Sequence, residues 1–308
     1  MSSTDAAEPR FRPGDRVAVR AAYPLGHVRT PFYVRGKSGI IERLCGAFGN
    51  PEELAYARSG LPQQPLYRVR FRQSDVWPNY GGQAADTVAV TSDNQNHVDG
   101  HMPDEATVHR HPPRPDLDDT LTYYRAMEIA LRELLVAKGV FTADEIRKQV
   151  EDMDNRGPAQ GARLVAKAWV DPEYRSLLLS DGGEACVVAG LDRGPYKLVV
   201  VENTHDTHNV IVCTLCSCYP RWLLGLPPDW YKSRAYRSRM VREPRVVLRE
   251  FGTEIPDDVT VRVHDSTADM RYLVLPQRPE GTVGWDEERL AQLVTRDSMI
   301  GVSLPRKP

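Results

Sequence analysis

Three of the chain's five cysteines fall within six positions, at Cys213, Cys216 and Cys218 of V-C-T-L-C-S-C-Y-P-R-W. Thiolates are soft, strongly binding ligands for transition metals, so this spacing asks first for a metal. A structural zinc site takes four ligands, usually as two separated pairs, and no second pair is present. His205 and His208 are candidate fourth ligands, but both precede the cluster on a segment that reads as a strand. An iron–sulfur cluster draws on four cysteines. Cys45 and Cys186 stand alone and read as small core residues. A redox C-x-x-C pair would leave Cys218 unused. One further arrangement uses the whole segment. Cys218 offers its sulfur and its own backbone nitrogen, the nitrogen of Ser217 lies one peptide away, and Cys213 and Cys216 add two sulfurs. The result is an S3N2 claw around one ion, with a sixth position open. Deprotonating backbone amides demands a strongly Lewis-acidic ion, which fits trivalent cobalt or iron and not zinc.

The elements that position this loop follow from the pattern of the rest. The chain has 308 residues, 41% hydrophobic and 27% charged, with a net charge of −2. That is long enough for two domains. It carries no basic excess of the kind nucleic acid requires. Its longest apolar runs fall far short of the roughly 20 residues that span a bilayer. The polar start M-S-S-T-D-A-A-E-P lacks a secretory signal, so a reducing cytoplasm is expected, and five cysteines do not read as a disulfide framework.

Residues 1–92 alternate in short β-rich runs broken by Gly and Pro, which predicts a small SH3-like β-barrel. Residues 93–117 lose all periodicity and read as a linker. Their four histidines, His97, His101, His109 and His111, share no fixed geometry and read as polar linker rather than a metal site. From 118 on, helical periodicity appears. Asp118 or Asp119 is a candidate cap, Met127, Leu131, Leu134 and Leu135 share one face, and Thr142 with Glu145 forms a capping box. After Gly183 the pattern predicts strands at A-C-V-V-A-G-L, Y-K-L-V-V-V-E-N-T, N-V-I-V-C-T-L, P-R-V-V-L-R-E-F-G, V-T-V-R-V-H-D and R-Y-L-V-L-P-Q-R-P. P-P-D-W-Y-K-S-R-A-Y-R-S-R-M-V reads as a short helix, and D-E-E-R-L-A-Q-L-V-T-R-D-S-M-I as a closing one. The class is α+β: barrel, linker, helical arm and an α+β domain over 118–308.

The cysteine segment, followed by L-G-L-P-P-D-W-Y-K-S, Y-R-S-R-M-V-R-E-P-R-V-V-L-R-E-F-G and H-D-S-T-A-D-M-R-Y-L-V-L-P-Q-R-P-E-G-T-V-G-W, resembles the metal-binding alpha subunit of the nitrile hydratase and thiocyanate hydrolase family. G-D-R-V-A-V-R-A-A-Y-P-L-G-H-V-R-T-P-F-Y-V-R-G-K-S-G-I-I-E-R resembles the C-terminal half of the family's beta subunit. The resemblance implies a fusion of two family pieces that hydrates a C≡N group. It implies Cys213, Cys216 and Cys218 as sulfur ligands, with Ser217 and Cys218 giving backbone nitrogens. Cys216 and Cys218 are then oxidised to sulfinate and sulfenate, and the Cys218 oxygen serves as nucleophile or base. Thr214, at the second place of the motif, implies non-corrin cobalt rather than iron. Such a centre carries about −5 of ligand charge against +3, which buried surroundings must offset. Arg29 takes that role by resemblance, and its other reading is a solvated loop residue. Asp265 and Arg271 match positions around the centre, or form a structural salt bridge.

Two departures matter. The helical N-terminal half of a beta subunit is missing, so the resemblance implies either a separate helical partner subunit or a more open site and, for loading, a metallochaperone or activator. Where nitrile hydratases commonly carry a tryptophan, this chain has Arg221, three residues after Cys218. An arginine facing the open metal position suits an anion. That points to thiocyanate, hydrolysed to carbonyl sulfide and ammonia, with Cys218, Arg29 and Arg221 as catalytic residues. If Arg221 turns to solvent instead, Trp222 refills the pocket and an organic nitrile becoming an amide is the alternative. A non-catalytic metal-binding subunit is the third reading.

Overall fold

A computed structural model describes residues 7–21, 29–92 and 121–308. The linker with its four histidines, and the candidate caps Asp118 and Asp119, lie outside the described residues. Described strands are β1 (Arg16–Ala18), β2 (Ser38–Phe48), β3 (Gln64–Arg72), β4 (Ala85–Ser92), β5 (Lys197–Glu202), β6 (Thr207–Val212), β7 (Thr260–Asp265) and β8 (Met270–Leu275). Helices fill the stretch between β4 and β5 and that between β6 and β7, giving a mixed α+β fold.

β1 to β4 form an antiparallel meander whose inner face buries Ile41, Tyr67, Val69, Phe71 and Ala89. The expected closed barrel is not formed by the described strands. β4 pairs in parallel with β7, and β7 with β6, giving one six-stranded sheet in the order β1-β2-β3-β4-β7-β6. β4 is buried along Ala85–Val90 because it is an interior strand, and its near-continuous apolar run V-A-V suits that position. β5 and β8 form a separate parallel pair.

The functional consequence lies in the β6–β7 register. Val212 pairs with Asp265, so both strands end side by side. Cys213 follows the first and Asp265 closes the second. Ligand loops commonly gather at such carboxyl ends of parallel strands.

Several local expectations differ from the structure. A-C-V-V-A-G-L is not a strand: Gly182–Val188 is helical, started by the Asp181 side chain accepting from the Glu184 N–H. P-R-V-V-L-R-E-F-G is also helical over Pro244–Glu250, with Pro244 in the first turn, where a missing N–H costs nothing. The adjacent valines misled the β reading in both cases. The 227–241 segment forms two short helices, Asp229–Lys232 and Arg234–Met240, and the closing helix is likewise split, at Glu287–Ala291 and Arg296–Ile300. The helix Tyr123–Ala137 is capped by Thr122, whose side chain accepts from Arg125 N–H. The Thr142–Glu145 capping box forms as expected. No helix among the described residues is long and apolar enough to cross a membrane.

Gly301 ties the last helix to β6. It sits at φ +92°, and an added Cβ would lie 2.1 Å from the Asn209 carbonyl oxygen. Overpacking against backbone, with left-handed strain added, is worth on the order of 3 kcal/mol. Gly301→Ala is therefore expected to lower the urea midpoint clearly. An unchanged midpoint would show that β6 can give way.

Candidate metal centre

The turn after β6 draws three sulfurs together. Cys213 Sγ lies 3.7 Å from Cys216 Sγ, and Cys216 Sγ lies 3.0 Å from Cys218 Sγ. All three fall within 4.8 Å of one another, the one such group of metal-ligating side chains among the described residues. Cys213 and Cys218 are buried and Cys216 is exposed, so the cluster has a single open side.

Four contacts hold this turn. Thr214 donates to Asp265 twice, from its N–H (2.9 Å) and its hydroxyl (2.6 Å). Arg237 donates to the Cys216 carbonyl at 2.8 Å, and the Tyr231 hydroxyl to the Cys218 carbonyl at 2.9 Å. Burial pushes the Asp265 carboxyl up to about 6, against hydrogen bonds from Thr214 and Tyr33 that pull it down.

The sulfurs constrain one another's charge. Hydrogen bonding from Cys213, then Cys218, pulls the Cys216 thiol far below its ordinary value, helped by backbone hydrogen bonds from Ser217 and Cys218. The same bonding, first to Cys216, holds Cys213 far above its own. Sulfurs this close oppose one another's ionisation. Three thiolates at this spacing require a multivalent cation among them. The donor set fits such an ion, with the backbone nitrogens of Ser217 and Cys218 on the same turn as the three sulfurs. A Cys3His zinc site is not offered among the described residues. His208 spends both ring nitrogens, donating from Nε2 to the Gly301 carbonyl at 2.7 Å and accepting at Nδ1 from Asn203, while His205 is exposed and outside the cluster.

The remaining sequence-derived residues are placed as follows. Arg29 is no solvated loop residue: it is 5% exposed and forked onto Asp269 at 2.5 and 3.0 Å, with a further bond to the Gly49 carbonyl. Its Nη1 is buried with no hydrogen-bond partner. Asp265 and Arg271 do not pair. Arg271 donates to the Thr267, Ala268 and Met270 carbonyls and lies 4.0 Å from the Tyr196 ring centroid. Bonding with Cys213 and the Arg271 charge lower the Cys218 thiol, but bonding with Cys216 and burial outweigh them and push it up to about 11. Arg221 opens the short helix Arg221–Leu224 and is exposed, whereas Trp222 is buried beside Tyr196 and against Gly194.

The sequence reading missed Tyr33, Asp269, Arg237 and Tyr231. Tyr33 and Asp269 act across 232 and 240 residues, which no local spacing reveals.

Comparison with known proteins accounts for both ends of the chain. The family "Nitrile hydratase, alpha chain" matches residues 122–303, and "Nitrile hydratase beta subunit, C-terminal" matches residues 2–93. The chain belongs to the nitrile hydratase family. Among its relatives, the alpha subunit of the low-molecular-weight cobalt-containing nitrile hydratase of Rhodococcus rhodochrous is 53% identical over 182 residues, covering 58% of this chain and 87% of the relative. The gamma subunit of thiocyanate hydrolase from Thiobacillus thioparus is 45% identical over 206 residues, covering 63% and 84%. At the other end, the nitrile hydratase beta subunit of Pseudomonas chlororaphis is 41% identical over 86 residues, covering 28% of this chain but only 37% of the subunit. Among solved structures, a recombinant thiocyanate hydrolase with partially modified cobalt centres aligns at TM-score 0.56 and 45% identity over 61% of this chain and 92% of that one. A double mutant of the Fe-type nitrile hydratase of Comamonas testosteroni aligns equally well, at TM-score 0.56 and 43% identity over 60% and 91%. This nitrile hydratase family chain thus joins an alpha-type match to part of a beta-type match in one polypeptide.

Proposed function

We propose that this chain is a cobalt-dependent catalyst of C≡N hydration, acting on thiocyanate by SCN⁻ + 2 H2O → COS + NH3 + OH⁻. The observation that carries the reading is the convergence of the Cys213, Cys216 and Cys218 sulfurs at the end of β6, in the segment matched to alpha chains. Those sulfurs, with the backbone nitrogens of Ser217 and Cys218, would hold the ion. Bound there, trivalent cobalt supplies Lewis acidity toward the C≡N group. The chain's own residues do the rest. Cys218, buried and under the positive field of Arg271, would carry the reacting oxygen once a two-electron oxidant such as dioxygen or peroxide has converted its thiolate to sulfenate, and that oxygen would attack carbon or take a proton from water. Arg29, with its buried Nη1 uncommitted among the described residues, offsets the negative charge of the centre. Arg221 draws in the anion.

Arg221 is exposed, as is Cys216, which fits a site whose mouth stays open until another polypeptide covers it. Buried Trp222 favours the second reading, nitrile to amide, if Arg221 keeps its solvent orientation. The chain divides functionally into a beta-derived unit over 1–92, a linker over 93–117 and an alpha-derived unit over 118–308, and it works in the cytoplasm. A metallochaperone loads the ion.

The partner is a helical subunit equivalent to the part of a beta subunit that the match to this chain does not cover. Helices Tyr123–Ala137 and Ala143–Asp154 bury none of their residues and expose Tyr123, Tyr124, Met127, Leu131, Leu134, Val150 and Met153. An apolar cleft of about 400 Å³ runs along the second helix, past Phe141, Ile146, Val150 and Met153. Such a face calls for cover. Purified alone from cobalt medium, the chain is expected to be weakly active at most. Co-expression with the helical subunit should protect this arm from proteolysis and restore turnover, assayed on thiocyanate and on simple nitriles. Full turnover by the isolated polypeptide would show that the missing half is dispensable. Failure on both substrates with the partner bound would leave the non-catalytic reading.

A further inference from the structure

The buried carboxylate that anchors the cysteine turn reaches beyond the alpha-type segment. Asp265 is fully buried and enters no ion pair among the described residues. Its compensation comes from three donors: the N–H of Thr214 to Oδ1, and the hydroxyls of Thr214 and Tyr33 to Oδ2. Tyr33 belongs to the short helical turn Phe32–Val34 of the beta-type segment and donates at 2.8 Å. Its ring does not depend on that bond for its place. It stacks on Trp77, with centroids 5.7 Å apart and planes at 13°, and Trp77 is itself pinned by its indole N–H to the Val241 carbonyl at 2.7 Å.

We infer that Tyr33 is a positioning residue for the metal-binding turn: its hydroxyl fixes Asp265, which fixes Thr214 and with it the approach of Cys213 and Cys216. A buried carboxylate with one donor removed is free to shift toward other donors, and Thr214 is the residue that shifts with it. The order of the turn is therefore set in part from the beta-type segment.

The test compares the full chain with Tyr33→Phe, which keeps the stacked ring and deletes only the donor. In metal-free protein, amide hydrogen exchange of the peptide spanning 212–218 is expected to rise by about tenfold or more, the usual effect of losing one hydrogen bond to a charged group. Peptides from β2, β3 and β8 should be unchanged. In cobalt-loaded protein, release to a strong chelator should accelerate by a similar factor. Thr214→Val removes the intervening hydroxyl, so adding Tyr33→Phe to it should produce much less than the single-variant effect. Unchanged exchange at 212–218 overturns the inference. So does a uniform rise across the chain, which marks a merely structural tyrosine, and so does full additivity with Thr214→Val. The release arm rests on the cobalt reading above and the exchange arm does not. Wild-type protein that holds no stoichiometric cobalt would refute that reading while the exchange result still decides Tyr33.

Discussion

Cys213→Ala is expected to abolish cobalt binding, from one ion per chain to none. Cys213 is the remote sulfur of the claw, buried at the end of β6, and its sulfur also accepts from the Cys216 N–H at 3.4 Å. Its removal takes away a ligand and the contact that folds the turn back on itself. The four donors left, from Cys216, Ser217 and Cys218, sit on three consecutive residues and leave one side of the ion to solvent. No neighbour among the described residues replaces the lost sulfur, because His208 is spent on Gly301 and Asn203. Elemental analysis after growth with cobalt checks this. Tight stoichiometric zinc in the wild type under those conditions would sink the cobalt assignment itself.

Arg221→Trp carries the second large effect. If Arg221 turns toward the substrate, its charge selects for an anion, and a charge-assisted contact of this kind is worth roughly 1.5–3 kcal/mol, or about 10- to 150-fold. The variant should raise KM for thiocyanate by that factor, while turnover of a neutral nitrile holds or rises. Added salt should inhibit thiocyanate turnover more than nitrile turnover in the wild type, because screening weakens only the charged encounter. A wild type that hydrates nitriles well, ignores thiocyanate and tolerates Arg221→Trp unchanged would assign Arg221 to solvent and the chain to nitrile chemistry.

What was legible in the sequence was what is local. Cys213, Cys216 and Cys218 announce a metal by spacing alone, because a single turn brings them together. The Thr142–Glu145 capping box is local too, and it forms as read. The failures have two causes. Val187, Val188, Val246 and Val247 read as strand by β-branching, yet an Asp181 cap and a first-turn Pro244 place them in helices. The second cause is distance along the chain. Nothing in the sequence near Arg29 announces Asp269, and nothing near Tyr33 announces Asp265. Both pairs join a residue ahead of β2 to one at or just past the end of β7. The open sheet has the same origin, since closure of β1–β4 depended on whether β4 found a partner elsewhere, and β7 was that partner.

The parallel pairing of β4 with β7 makes what two separate polypeptides would form by association into an intramolecular contact. Tethered segments meet at effective concentrations of about millimolar or more. Dilution in the cell or the test tube therefore cannot strip Tyr33 from Asp265 or Arg29 from Asp269. The chain is expected to keep these contacts at any protein concentration, and only the docking of the proposed helical subunit should follow mass action.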